Sequence, residues 1–578
     1  MIKTLMKSIR EYKKASILTP LLVALEVVMD VLIPFLMAKL IDDGIYAGEM
    51  NAILKIGLTL IISAMMALVF GVLSGKFAAT ASAGFAKNLR KDMYYNVQNF
   101  SFSNIDKFST SSIVTRLTTD VANLQMAYQM IIRIAVRSPL MLISALIMAM
   151  NINIKLSLIF LGLLPVIGIG LFFITTKAHP IFEKVFKTYD KLNNVALENV
   201  RGIRVVKSYV LEEEEKKKFG KVSDEIYRKF TKAETITAFV SPIMQFSTYT
   251  CIILISWFGA KMIVNTQMVD LTTGELTSLI TYTTQILMSL MMLSMIFVMT
   301  TMSRASAERI VEILEEKTDL SNPENPITEV ENGDIIFKNV DFSYVKDKNK
   351  LCLKNINLGI KSGETVGIIG GTGSSKTSLI QLIPRLYDVT EGEVLVGGED
   401  VRKYDLDTLR NEVAVVLQKN VLFSGTIKEN LKWGNKEATD DEIKKACRLA
   451  QAHEFIESFP DKYDTYIEQG GTNVSGGQKQ RLCIARALLK KPKILILDDS
   501  TSAVDTKTDS LIRKAFREEI PNTTKIIIAQ RINSVQDADK IIVMDNGKIN
   551  GIGTHEELLE NNDIYKEVYE SQMKGADK

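Results

Sequence analysis

Six long apolar stretches crowd the first 302 residues of this 578-residue chain, at about 15–41, 54–82, 127–150, 155–177, 238–263 and 277–302. A helix needs roughly 20 mostly apolar residues to cross a bilayer, and in hydrocarbon the backbone must satisfy its own hydrogen bonds. The first half is therefore expected to be an all-helical bundle of six spans. The rest has ordinary soluble composition, so a chain with 24 % charged residues still averages a mean hydropathy of +0.11. A purely soluble enzyme, a disordered chain and a fibre are excluded. A net charge of +3 offers no bulk argument for a nucleic-acid partner. The four cysteines (Cys251, Cys352, Cys447, Cys483) have neither metal nor redox spacing.

Lysine and arginine give the orientation. The connection 83–126 carries Lys87, Arg90, Lys91, Lys107 and Arg116, and 178–237 carries Lys184, Lys187, Arg201, Arg204 and Lys207 among others. The connections 42–53, 151–154 and 264–276 have none. Both termini and both long loops are thus expected in the cytoplasm, with residues 1–14 as a basic helix at the inner membrane surface rather than a cleaved signal. The long loops lack linker composition and read as helices continuing out of the bilayer, broken near 104–112 and 202–209 to make contact points for a cytosolic partner.

Charges inside apolar runs are costly unless paired. Glu26 and Asp30 share one face of the first span, and Arg133 and Arg137 share one face of the third, at similar depths of about 10–20 Å. A buried ion-pair ladder is one reading; a site for a cationic substrate is the other. In the sixth span Met288, Met291, Met292, Met295, Met299 and Met302 form a stripe. Such a stripe serves helix packing or accommodates varied apolar shapes, which makes Met288, Met292, Met295 and Met299 substrate candidates alongside Glu26 and Asp30.

After a charged segment with Pro323 and Pro326, short β-branched runs alternate with amphipathic helices, which predicts an α/β domain with a mainly parallel sheet. Gly370-Gly371-Thr372-Gly373-Ser374-Ser375-Lys376-Thr377 follows a strand-like run and opens a helix with Ser378. That is the context of a phosphate-binding loop: backbone N–H groups surround phosphate, Lys376 reaches the outer phosphates, and Thr377 offers a hydroxyl to Mg²⁺. Ser375 stands where glycine is usual; if a positive φ is needed there, serine costs on the order of 1–2 kcal/mol. Ile494–Leu497 leads into Asp498-Asp499, the acidic strand end that organises Mg²⁺ in phosphate-loop nucleoside triphosphatases. Val474-Ser475-Gly476-Gly477-Gln478 runs into a helix and makes a second anion-binding turn, so a nucleotide sandwiched between two domains is expected.

With these motifs in order behind six spans, the chain resembles a half-transporter of the ATP-binding-cassette (ABC) exporter family along nearly its whole length. The resemblance implies a transmembrane domain at 1–316, a linker at 317–331 and a nucleotide-binding domain at 332–578, with ATP and Mg²⁺ as cofactors. It implies that Tyr344 stacks on adenine, that Gln418 touches Mg²⁺ together with Thr377 and Asp498, and that Ser475, Gly476, Gly477 and Gln478 close on a partner's ATP. Asp505 would lie at the interface between nucleotide-binding domains.

Three departures fall on this chain's own hydrolytic half-site. The catalytic glutamate is replaced by Asp499, one methylene shorter, the switch histidine by Gln530, and a loop glycine by Ser375. A misplacement of about 1 Å can cost roughly a hundredfold in rate. The signature is nearly intact. This pattern is similar to the degenerate-site subunit of heterodimeric bacterial multidrug exporters. The expectation is a multi-pass subunit of the bacterial plasma (inner) membrane that pairs with a homologous half-transporter. The partner would supply glutamate and histidine, and the pair would export amphipathic compounds by ATP hydrolysis chiefly at the partner's site. Membrane lipids surround it and no nucleic acid takes part. A lipid flippase, an importer with this layout and an ATP-gated regulatory protein are the alternatives.

Overall fold

The computed structural model describes residues 1–500 and 502–576, with backbone alone at 161, 164, 171, 175, 179, 186, 190, 298, 301, 302 and 574–576; the side chain of Met302 thus lies outside the described residues. The chain forms two units. One is Met1–Gln98 with Thr110–Glu316, the other Asn99–Ser109 with Lys317–Lys578.

To residue 316 the helices that frame the fold are, in chain order, α1 (Lys13–Lys39), α2 (Met50–Gln98), α3 (Phe102–Lys107), α4 (Val121–Ile152), α5 (Ile154–Arg201), α6 (Ile203–Ser208), α7 (Glu212–Thr237), α8 (Val240–Asn265) and α9 (Thr273–Glu315), with shorter turns of helix at Ile2–Met6 and Thr110–Thr115. Among the described residues, six helical stretches are long and apolar enough to cross a membrane. With 49 residues, α2 is roughly 75 Å long, more than twice a hydrocarbon core. The breaks expected in the two long loops are present: α3 interrupts the first, and α6 follows Gly202 in the second. A further break at Ala238–Phe239 separates α7 from α8. Pro242 explains it, because it has no N–H to donate to the carbonyl of Ala238.

Within the first unit the helices approach closely through small residues; Ala78, Ala81, Ala145 and Ala149 are fully buried. Val27, Val31, Met141, Ile255 and Tyr282 fill one core between α1, α4, α8 and α9. The basic N-terminal segment is helical at Ile2–Met6 and packs on α2. Leu5 and Ile9 are buried, Ser8 Oγ and Arg10 each donate to Asp92 at 2.8 Å, and Asn88 donates to the Ser8 carbonyl at 2.9 Å.

The second unit contains β1 (Ile335–Phe342), β2 (Leu353–Ile360), β3 (Thr365–Gly370), α10 (Lys376–Gln381), β4 (Glu391–Val396), β5 (Glu399–Asp400), β6 (Val413–Val416), α11 (Gly476–Leu488), β7 (Ile494–Asp498), α12 (Thr506–Glu519), β8 (Thr524–Ile528), β9 (Lys540–Asp545), β10 (Lys548–Gly553) and α13 (Asp563–Ala576). The six-stranded sheet has the order β10-β9-β3-β8-β7-β6, parallel from β9 to β6, with β10 antiparallel at one edge. Every residue of β7 and β8 is buried, as parallel strands covered on both faces require. A second, four-stranded antiparallel sheet, β2-β1-β4-β5, goes beyond the mainly parallel sheet expected from the sequence. Its two longest strands, β1 and β2, broadly alternate buried and exposed residues because one face meets the core.

Candidate functional site

Parallel strand order assembles the site. Since β3, β8, β7 and β6 are parallel neighbours, the loops after Gly370, Ile528, Asp498 and Val416 leave one sheet edge side by side. Those loops carry the phosphate loop, Gln530, Asp499 and Gln418.

The phosphate loop turns through Gly373 at φ +83° and Ser375 at φ +70°. Ser375 thus occupies the left-handed conformation that favours glycine, at a cost on the order of 1 kcal/mol. Gly371, Thr372 and Gly373 are exposed, whereas Ser374 is buried. Lys376 Nζ donates to the carbonyls of Gly370 (2.7 Å) and Gly371 (2.9 Å) and to Ser374 Oγ (3.3 Å). Burial lowers its pKa, opposed by the charges of Asp498 and Asp499.

Thr377 Oγ1 donates to both Asp498 carboxylate oxygens, at 3.0 and 3.3 Å. Burial raises the Asp498 pKa, opposed by that hydrogen bond and reinforced by Asp499. Asp499 follows at φ +49°, its N–H held by the Ile528 carbonyl at 3.0 Å. One oxygen, Oδ2, accepts from two amides: Gln530 Nε2 at 2.8 Å and Gln418 Nε2 at 3.4 Å. All three departures therefore sit on or beside this cluster, two of them in left-handed backbone. Sequence reasoning missed that Gln418 and Gln530 meet on one carboxylate oxygen, because 112 positions separate them along the chain (530 − 418).

Tyr344, just past β1, shares its hydroxyl with Ser378 Oγ at 2.8 Å and donates to Gln381 at 3.1 Å. Its ring meets Phe342 and Tyr387 edge-on, with centroids 4.8 and 5.1 Å away, and the residue stays 41 % exposed. Tyr387 went unnoticed in the sequence; its hydroxyl donates to Asp106 on α3 at 2.6 Å. Asp319 receives Ser101, Ser103 and Lys346, which hold its carboxyl down at about 2 against the opposing effect of burial. Segment 99–109 is thereby fastened to the second unit.

Ser475 caps α11: its Oγ accepts from the Gln478 N–H at 3.3 Å, and the Gln478 side chain accepts from the Ser475 N–H at 2.9 Å. A Cβ on Gly477 would lie 2.8 Å from the Ala503 carbonyl. Gln480 accepts from the Ala503 N–H at 3.0 Å and donates to Ser502 at 3.4 Å, so the signature turn and the 502–505 segment form one body. Gly476 has Ala503 Cβ at ordinary contact distance. Asp505 caps α12 through the Thr508 N–H at 3.0 Å, the main cause of its lowered pKa.

In the first unit Arg137 reaches Asp30 at 2.7 Å and Glu26 at 3.4 Å. Ser74 also donates to Glu26 at 3.3 Å. Arg133 instead donates to the Gly71 carbonyl at 3.5 Å. Met288, Met292 and Met295 are exposed along α9, and Met299 is half-buried.

Comparison with known proteins agrees with this geometry. The profile of the ABC transporter transmembrane region matches residues 16–302, and that described as ABC transporter matches 353–502. The ABC transporter ATP-binding protein YfiB of Bacillus subtilis (strain 168) is 36 % identical over 555 residues, 96 % of this chain and 95 % of that one. YheI of the same organism, a probable multidrug resistance ABC transporter ATP-binding/permease protein, is 36 % identical over 410 residues, 71 % of this chain and 69 % of that one. The fold is shared with a bacterial Atm1-family ABC exporter solved with ATP bound, at TM-score 0.81 and 23 % identity, over 97 % of this chain and 98 % of that one. A helical membrane-spanning unit, a nucleotide-binding α/β unit and a relative alike over almost the full length lead to one conclusion: the chain belongs to the ABC transporter family, as a half-transporter that fuses the transmembrane region to its ATPase domain.

Proposed function

We propose that this chain is one subunit of a heterodimeric ATP-driven exporter of amphipathic compounds, in a bacterial plasma membrane with its nucleotide-binding unit in the cytoplasm. Its own ATP site retains nucleotide, and its signature turn completes the hydrolytic site of a homologous partner. The observation that carries this is the Asp499 carboxylate. A general base must offer a lone pair to the attacking water. Here one oxygen is engaged by two amides, and the side chain is a methylene too short. Gln530 donates a hydrogen bond but carries no charge in any protonation state open to it.

The donor set fits Mg²⁺, a hard cation that prefers oxygen: the Thr377 hydroxyl, the Asp498 carboxylate and the Gln418 amide oxygen, completed by phosphate and water. Held by these residues, Mg²⁺ would supply positive charge against the phosphates. Tyr344 offers a ring face to adenine, and Lys376 exchanges its loop carbonyls for phosphate oxygens. Gln418, touching Asp499 at one end, reports that occupancy to the rest of the unit. In the membrane, Arg137 offsets Glu26 and Asp30, which favours a structural pair over a cationic-substrate site. The methionines of α9 are left as the adaptable apolar surface that amphipathic cargo needs.

The test is the ATPase rate of this chain purified alone, beside the same chain co-expressed with a homologue that keeps glutamate and histidine at the matching positions. Near-inactivity alone with turnover by the pair supports the reading. Full, transport-coupled turnover by a homodimer overturns it.

A further inference from the structure

We propose that Gln572 is a positioning residue, tying the C-terminal helix α13 to the loop that presents Gln530, so that nucleotide held at this chain's site and the seating of α13 are thermodynamically linked. The proposal rests on the reading that this chain's own site retains nucleotide, with Gln530 in the place of the switch histidine. Gln572 Oε1 accepts from the Ile532 N–H at 2.9 Å, and its Nε2 donates to the Gln530 carbonyl at 2.8 Å. One side chain thus brackets Arg531 and fixes the backbone on both sides of it. Gln530 then passes the constraint on, donating to Asp499 at 2.8 Å.

The geometry of α13 makes this a directed clamp. Tyr565 and Gln572 are seven apart, and Val568 lies between them at helical spacing, so all three share one face. Tyr565 is fully buried, and its hydroxyl pairs with His555 Nδ1 at 2.7 Å. Val568 packs on the same core as Ile532. Gln572 is the polar end of that buried face, directed at the loop. From the other side, Ser534 Oγ donates to Asp509 on α12 at 3.0 Å, so α13 supplies the loop's second anchor. Whatever pulls Gln530 toward phosphate must also load the Gln572 hydrogen bonds, and by linkage whatever unseats α13 must weaken nucleotide retention.

The test uses the full-length chain in lipid nanodiscs with Mg·ATP as probe, reading amide hydrogen exchange at 530–532 and 563–576 together with ATP retention. In the natural chain, Mg·ATP is expected to slow exchange in 563–576. Gln572→Ala is expected to speed Ile532 exchange, abolish the effect of ATP on 563–576 and cut ATP retention by about fivefold. Gln572→Glu, which keeps the acceptor for Ile532 but loses the donor to Gln530, should fall between. Tyr565→Phe loosens α13 while leaving the Gln572 bonds in place, so ATP should still slow exchange in 563–576, from a faster baseline and with weaker ATP retention. The proposal is overturned if bound ATP leaves 563–576 unchanged in the natural chain, or if Gln572→Ala behaves like it. Should Mg·ATP fail to bind at all, the nucleotide reading and the linkage fall together, while Ile532 exchange without nucleotide still decides the clamp.

Discussion

The loop at 370–377 and the turn at 475–478 are both built to present backbone N–H groups to phosphate, yet they differ in how well they keep the geometry. The first holds Ser375 at φ +70° where glycine is at ease, and its companion Asp499 sits at φ +49° with one carboxylate oxygen accepting from two glutamines. The second is relaxed: Ser475 has extended backbone and a reciprocal cap, and Gly477 remains glycine where a side chain would strike Ala503. Left-handed backbone gathers in the first, and an unstrained turn survives in the second. The difference teaches that binding and hydrolysis are separable demands. Binding asks for N–H groups, which any residue supplies, whereas hydrolysis asks for a free base at the right reach.

That contrast can be broken most forcefully at the intact end. Gly477→Asp, which meets the Ala503 carbonyl and sets a negative charge where phosphate belongs, is expected to lower ATPase of the co-expressed pair by roughly a thousandfold. Asp499→Asn in the same pair should change little. The degenerate end is sharpened by restoring it: Asp499→Glu with Gln530→His should raise turnover of the chain alone by up to about a hundredfold. Either change alone should do less, because the remaining partner still misplaces the water. A variant remote from both half-sites calibrates these readings. Arg137→Ala leaves Glu26 buried without its cation and should cost about 2 kcal/mol, discounted because Arg137 is 42 % exposed, with partial recovery in Arg137→Ala/Glu26→Gln on thermal unfolding.

The two smallest effects probe backbone and charge at the phosphate loop. Ser375→Gly removes the left-handed penalty and should stabilise the nucleotide-binding unit by about 1 kcal/mol in denaturant unfolding, without restoring turnover. The raised pKa of Asp498 sets the sign of the last. Only the ionised carboxylate holds a cation, so Mg·ATP affinity is present above that pKa and lost as pH falls through it. The few-fold loss should begin at higher pH than an ordinary aspartate would give, and Asp498→Asn should flatten it.

Much of this was legible in the sequence because the chemistry is local. A phosphate loop is eight consecutive residues, and a spanning helix announces itself by length and apolarity. What escaped has no local signature. The antiparallel sheet is built from strands whose alternation resembles that of many other segments and does not say which strand will pair with which. Gln572 meets the 530–532 loop only because α13 folds back onto the core at Tyr565. The intramembrane charges were half readable: helical spacing paired Glu26 with Asp30 and Arg133 with Arg137. Side-chain reach then gave both acids to Arg137 and left Arg133 to a carbonyl.

The parallel edge that gathers β3, β8, β7 and β6 has a consequence for inheritance. Its strands fix where the loops leave, and Asp499 and Gln530 lie just beyond them. Aspartate and glutamate codons differ by one base, as do those of glutamine and histidine. A lineage could exchange both of these side chains by two point mutations while every strand, register and core contact is passed on unaltered.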